Sequence, residues 1–127
     1  MKPKILIVTA RYYKNFSENL EFYASVVLNN KAKYKFVSVP GVFEIPVVIS
    51  KNIKKYDAFL ALGCVIKGET PHFDFISSTC ANSISQLTIK KKFPITFGVL
   101  TTNTYKQALK RAQQKGVEIA DTTILSI

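Results

Sequence analysis

The chain has one histidine, His72, inside the stretch "LGCVIKGETPHFDF" at 62–75. An apolar run ends there, and Gly68 permits a bend. Thr70 can cap a helix, and Pro71 then fits the first helical position, where its missing N–H has no partner to lose. The N–H groups just inside such a helix lack internal acceptors, so its start is a ready anion site. His72 falls within that first turn. The positive end of the helix dipole disfavours a charged imidazole and leaves a neutral one able to exchange a proton near pH 7. The alternative is a surface histidine in a capped helix, and the residues alone do not separate the two.

Arg11 and Arg111 are the only arginines among 18 basic residues. A guanidinium grips phosphate or carboxylate with a planar fork that lysine cannot copy. By position alone, Arg111 reads as a solvated charge on the polar flank of a helix. Glu44 stands in an apolar turn, "VPGVFEIP", where a carboxylate is costly unless it binds something. It either meets a ligand or caps the next helix. Tyr12 and Phe43 fall at strand ends, where they can stack on a flat ligand or simply pack.

The elements that position these residues follow from hydrophobic pattern. "KILIVTA", "YKFVSV", "AFLALGCVI" and "PITFGVLTT" are nearly continuous apolar runs, as expected of strands buried on both faces of a parallel sheet. Helical periods lie between them. Leu20, Tyr23, Ala24, Val27 and Leu28 share one face, with Ser17 as the expected N-cap. Ile45, Val48, Ile49 and Ile53 share another, with Pro46 in a first turn. Ile76, Cys80, Ile84 and Leu87 form a stripe from Phe73 to Lys91, and Tyr105, Ala108, Leu109 and Ala112 a fourth. The tail "GVEIADTTILSI" reads as weakly helical at best. Strand–helix alternation predicts an α/β fold: a three-layer α/β/α sandwich, flavodoxin-like, with a mainly parallel four-stranded sheet. Ligands of such sheets bind beyond the carboxyl ends of the strands. Those ends are 9–13, 39–44, 63–72 and 97–103.

The bulk numbers agree. The 127 residues, 47% of them hydrophobic, suit one domain over 1–127 with a real core. No apolar run spans a bilayer, and Arg11 interrupts the first run too soon for a signal peptide. Cys64 and Cys80 in apolar patterns read as free buried thiols of a cytoplasmic protein. The net charge of +10 raises nucleic-acid binding as a reading. The distribution weighs against it: Lys31, Lys33 and Lys35 alternate with apolar residues, and Lys51, Lys54 and Lys55 share a helix flank. Lys90 to Lys92 fall at a helix end, where cations complement the dipole. Neither membrane nor nucleic acid is an expected partner; an anionic small substrate is the better use of positive potential. There is no GxGxxG, no Walker loop and no Cys/His set with metal spacing.

"VPGVFEIP", "YDAFLALGCVIKGETPHFDF" and "PITFGVLTTNTYKQALKRA" closely resemble the lumazine synthase family of riboflavin biosynthesis, in order and in spacing, over nearly the whole chain. The resemblance implies condensation of 5-amino-6-(D-ribitylamino)uracil with 3,4-dihydroxy-2-butanone 4-phosphate. An imine forms, phosphate and water leave, and 6,7-dimethyl-8-ribityllumazine results. It implies no metal and no redox cofactor. It matches Tyr12 to an aromatic that stacks on the pyrimidine. It matches Val42, Phe43 and Glu44 to the turn that holds the ring and ribityl chain, and Cys64, Val65 and Ile66 to backbone that reads the pyrimidine edge. Glu69 and Thr70 match the phosphate cradle and His72 the proton donor. Phe97 and Arg111 match a wall and a phosphate clamp brought by a neighbouring subunit, with Lys115 as a further lysine nearby. It implies a homopentamer with sites between subunits.

The sequence departs from the family in several places. It starts almost at the first strand, so the usual N-terminal extension is expected to be missing. "AQQKGVE" is about four residues shorter than the family's loop after the arginine clamp. The final helix reads as short. Tyr12 replaces a common phenylalanine or tryptophan, and Val42 a common alanine. Pentamer contacts in the family's hollow shells are associated with that loop, so an isolated pentamer is expected. The rival readings are a non-catalytic relative that binds a lumazine or flavin or forms a shell, and a basic nucleic-acid-binding domain.

Overall fold

The computed structural model describes residues 2–91 and 94–127. Strand β3 (Ala58–Ile66) is buried at every position, and β1 (Lys4–Ala10) at all but its first. That double-sided burial is why their sequences run apolar without alternating. β2 (Lys33–Val39) and β4 (Ile95–Thr102) flank them in the order β2-β1-β3-β4, every pair parallel. β2, on an edge, alternates exposed lysines with half-buried aromatics, and charge on an edge discourages pairing with other strands.

Four helices connect and cover the sheet: α1 (Lys14–Leu28), α2 (Ile45–Asn52), α3 (Phe73–Lys91) and α4 (Tyr105–Ser126). α1 and α4 close one core around Ile5, Ile7, Leu60 and Leu62. α2 and α3 close the other around Leu6, Val8, Phe59 and Ala61. The α/β/α sandwich expected from the pattern is the fold. The buried faces fall as expected, save that Leu109 is exposed. Pro46 lies in the first turn of α2. Lys92, expected at the end of α3, lies outside the described residues.

Three local expectations are corrected. α1 starts at Lys14, with Tyr13 ahead of it, so Ser17 is not the cap; its hydroxyl donates to the Ala10 carbonyl at 2.6 Å. α3 starts at Phe73. The cap position falls to His72, whose carbonyl takes the Ile76 N–H at 2.8 Å, and not to Thr70, whose hydroxyl accepts the His72 N–H at 3.2 Å in the turn before the helix. Pro71 and His72 therefore form the turn before the helix rather than its first turn. Finally, α4 is neither short nor interrupted: it continues through "QQKG" to Ser126, 22 residues in all. Thr104 caps it, accepting the Gln107 N–H at 3.2 Å.

The stripe that holds α4 down is Ala108, Ala112, Gly116, Ile119, Ala120 and Thr123, all buried. Small residues let it lie close to α1. A Cβ on Gly116 would come within 3.0 Å of the Leu20 carbonyl and of Tyr23 Cβ. Gly116→Val is therefore expected to lose roughly 1–3 kcal/mol of stability by overpacking, although valine is the better helix former. Urea unfolding measures it; an unchanged midpoint would show that the two helices can separate freely.

Candidate active site

The site is built where β1 and β3 end side by side. The N–H of Arg11 bonds the Val39 carbonyl at 2.9 Å, so the chain leaves β1 still tied to β2. The Arg11 guanidinium pairs with Glu21 and lies 3.8 Å from Glu18. Glu21 is buried on α1 and also accepts from the Thr9 hydroxyl at 2.9 Å. A buried carboxylate is tolerable when charged and neutral donors both satisfy it. This network fixes the β1–α1 corner and sends the next side chain outward: Tyr12 is 74% exposed.

Tyr13 turns the other way. Its ring contacts Tyr12 edge-on, with centroids 4.9 Å apart, and Tyr105 of α4 at 5.4 Å. Its hydroxyl donates to the Glu69 carboxylate. Burial, then Glu69, pushes the Tyr13 phenol above its ordinary value, so it keeps its proton at neutral pH.

From β2, the turn 40–44 supplies a second wall. The Glu44 carboxylate accepts the Gly41 N–H at 2.9 Å, closing the single 3₁₀ turn Val42–Glu44 ahead of α2. Glu44 does not cap α2 with its side chain, as one reading had it; the carboxylate turns back to the start of the 3₁₀ turn instead. Val42 is buried, while Phe43 is exposed and stacks on Phe75 with centroids 6.2 Å apart.

From β3 come Cys64, Val65 and Ile66, all buried, then the 3₁₀ turn Lys67–Glu69 and the turn carrying His72, which is exposed. Cys64 and Cys80 are free thiols. Burial, followed by the Glu69 carboxylate, pushes Cys64 up to about 12, and burial pushes Cys80 up to about 11.

These segments enclose a cavity of about 210 Å³. Of the expected site residues, Tyr12, Val42, Cys64, Val65, Ile66, Glu69 and Thr70 line it. Phe43, Glu44 and His72 do not line it: Phe43 adjoins Val42, and Glu44 and His72 stand two residues along the chain from Val42 and Thr70. Three lining residues had not been singled out for the site: Tyr13, Gly41 and Ile76. Tyr13 and Gly41 lie within the strand-end segments already marked as the ligand side, whereas Ile76 was assigned to the core stripe of α3.

Phe97, Arg111 and Lys115 do not join the cavity. Phe97 pairs in register with Ala61 and packs toward α2 and α3. Arg111 is exposed on α4 and shares a separate cleft with Leu100, Gln114 and Lys115. Lys115 lies 3.9 Å from Glu118. At the amino ends of the strands, Lys4, Lys33, Lys35, Lys54 and Lys55 line an open cleft with Tyr34 and Tyr56, remote from the cavity in the fold. Among the described residues, no group of His, Cys, Asp and Glu side chains could hold a metal ion, and no helix is long and apolar enough to cross a membrane.

Fold and cavity define a doubly wound α/β protein with a small-molecule crevice at the carboxyl end of its sheet. A family model described as 6,7-dimethyl-8-ribityllumazine synthase matches residues 2–127. The 6,7-dimethyl-8-ribityllumazine synthase of Bartonella tribocorum (strain CIP 105476 / IBS 506) is 39% identical over 117 residues, covering 89% of this chain and 78% of that protein. The chain belongs to the 6,7-dimethyl-8-ribityllumazine synthase family.

Raised thiol pKa values carry a checkable consequence. At pH 8 an unfolded thiol, with its ordinary value near 9, is already about a tenth ionised, whereas Cys64 and Cys80 in the folded chain stay protonated. Alkylation with iodoacetamide at pH 8 is expected to be at least about tenfold slower in the native protein than in urea. Mass spectrometry distinguishes the two; equal rates would show an exposed, reactive Cys64.

Proposed function

We propose that this chain condenses 5-amino-6-(D-ribitylamino)uracil with 3,4-dihydroxy-2-butanone 4-phosphate in the cavity at the β1–β3 junction, giving 6,7-dimethyl-8-ribityllumazine, phosphate and water. The observation that carries the reading is this cavity, lined by seven of the expected residues in a chain matched by the family model over 2–127. Tyr12 stacks on the pyrimidine. Val42, Phe43 and Glu44 hold the ring and ribityl chain, and backbone of Cys64, Val65 and Ile66 reads the pyrimidine edge. Glu69 and Thr70 receive the phosphate at the turn before α3, and His72 moves the proton that imine formation and phosphate loss require. Holding two substrates face to face supplies much of the remaining rate.

The site is shared between copies. A cavity of about 210 Å³ falls short of the roughly 300–1,000 Å³ of ordinary small-molecule sites. Phe97 lies on β4, an edge strand, and Arg111 on α4 directly after it, and neither lines this cavity. Tyr12, Phe43 and Phe75 are large, exposed and gathered at the mouth. A second copy that brought its β4 edge to this mouth would add Phe97 as a wall and Arg111 as the phosphate clamp. Head-to-tail contacts of this kind close into rings, and the ring proposed is a homopentamer in the cytoplasm. Lys115, one helical turn beyond Arg111, points a second cation to the same neighbour.

The pentamer is proposed to stay free of a shell. The long α4 removes one reason for this, since the final helix is not short. The other reason is strengthened: the segment 112–116, where the family has a longer loop, is continuous helix, so nothing projects there toward another pentamer. A non-catalytic relative is the second reading. Mixing the purified protein with both substrates separates them, because lumazine absorbance and fluorescence rise above the slow spontaneous reaction only if the chain is an enzyme.

His72→Ala is expected to lower turnover roughly 10- to 10³-fold with little change in substrate binding. Unchanged kcat at saturation would remove His72 as the proton carrier. Arg111→Lys keeps the charge and loses the fork. It is expected to raise KM for the phosphate substrate about tenfold and leave KM for the pyrimidine within about twofold. Steady-state titration of each substrate checks this, and equal weakening of both would contradict the clamp.

A further inference from the structure

The proposed phosphate cradle contains an electrostatic conflict. Glu69 puts a carboxylate in the turn that receives a phosphate; the residue is exposed, so water weakens the repulsion, but two anions at contact distance still repel. Gly68, which has no side chain, and Thr70, whose hydroxyl accepts the His72 N–H, flank Glu69 in sequence. The side chain that holds the Glu69 carboxylate is Tyr13, from the other strand end of the junction.

Tyr13 is well placed to hold it. The residue precedes α1, and the corner it occupies is fixed by the Arg11–Glu21–Thr9 network. Its ring is braced by Tyr12 on one side and Tyr105 of α4 on the other, so the hydroxyl cannot swing away without disturbing both contacts. Its phenol is harder to ionise than usual, through burial and the carboxylate itself, so it remains a donor.

We propose that Tyr13 is a positioning residue for the phosphate substrate. Its hydroxyl draws the Glu69 carboxylate to the β1 side of the cavity, so that the backbone and Thr70 of the turn, rather than an anion, face the phosphate. This rests on the function proposed above and divides the roles of Glu69: its main chain belongs to the cradle, and its side chain must be kept out of it. No residue pattern in the chain marks Tyr13 for this task. The contact joins positions 56 residues apart and exists only because the fold sets the ends of β1 and β3 side by side.

Three variants test it in steady-state assays with each substrate varied separately. Tyr13→Phe keeps the ring contacts and frees the carboxylate. It is expected to raise KM for 3,4-dihydroxy-2-butanone 4-phosphate roughly 5- to 30-fold, with KM for the pyrimidine and the thermal midpoint little changed. Glu69→Gln removes the repelling charge and is expected to lower the phosphate-substrate KM about two- to fivefold. Tyr13→Phe combined with Glu69→Gln is expected to recover most of the loss. A merely structural tyrosine would instead lower stability, weaken both substrates together, and gain nothing from the glutamine. Parent-like KM in Tyr13→Phe, or a double variant as impaired as Tyr13→Phe alone, overturns the proposal. A parent protein that forms no lumazine overturns the underlying function reading, a distinct result.

Discussion

The constraint on which the rest depends is the reversal of winding between β1 and β3. The chain leaves β1 into α1 on one face of the sheet and leaves β3 into α3 on the other. Two neighbouring parallel strands whose exits diverge must open a crevice between them. The strands themselves stay close at the crevice floor: a Cβ on Gly63 would come within 3.0 Å of both Ala10 Cβ and Val42 Cγ1. A narrow floor under diverging walls brings three loops, each far from the others in sequence, within reach of one small ligand.

Two apolar cores support that geometry from opposite sides. They shape the chemistry too, since the same burial that holds the sheet keeps Cys64 protonated. Several polar groups near the crevice are held by specific partners: Glu21 by Arg11 and Thr9, Glu44 by the Gly41 N–H, Thr70 by the His72 N–H. A site preorganised in this way has little reorganisation left to do when charge develops on a leaving phosphate.

Much of the fold is legible in the sequence because double-sided burial writes itself as unbroken apolar runs. β1 and β3 begin and end where those runs do, and α3 buries part of its expected stripe. The end of α4 is hard to read from sequence, because apart from Ile119 its buried stripe is alanine, glycine and threonine, which carry little hydrophobic signal; what holds it is close approach to α1. The start of α1 was misplaced because a serine that looks like a cap instead bonds back to β1. The strand-end rule marks the cavity side without naming its residues. Tyr13 escaped notice because its partner is a long-range one. Arg111 has no assignment from spacing, and within one chain it is an exposed helix charge; the task proposed for it comes from the resemblance and depends on the proposed second copy.

The central claim is that the site belongs to two chains, one contributing the crevice and the other the β4 edge. Subunit complementation tests this most directly. Arg111→Ala retains an intact crevice, and His72→Ala retains an intact clamp. Refolding the two inactive variants together at equal ratio should restore activity, because about one interface in four in a randomly mixed ring pairs a normal His72 with a normal Arg111. The account predicts activity near a quarter of the parent's, well above either variant alone. Hybrid rings that form normally yet show no more activity than the mean of the two variants would contradict it.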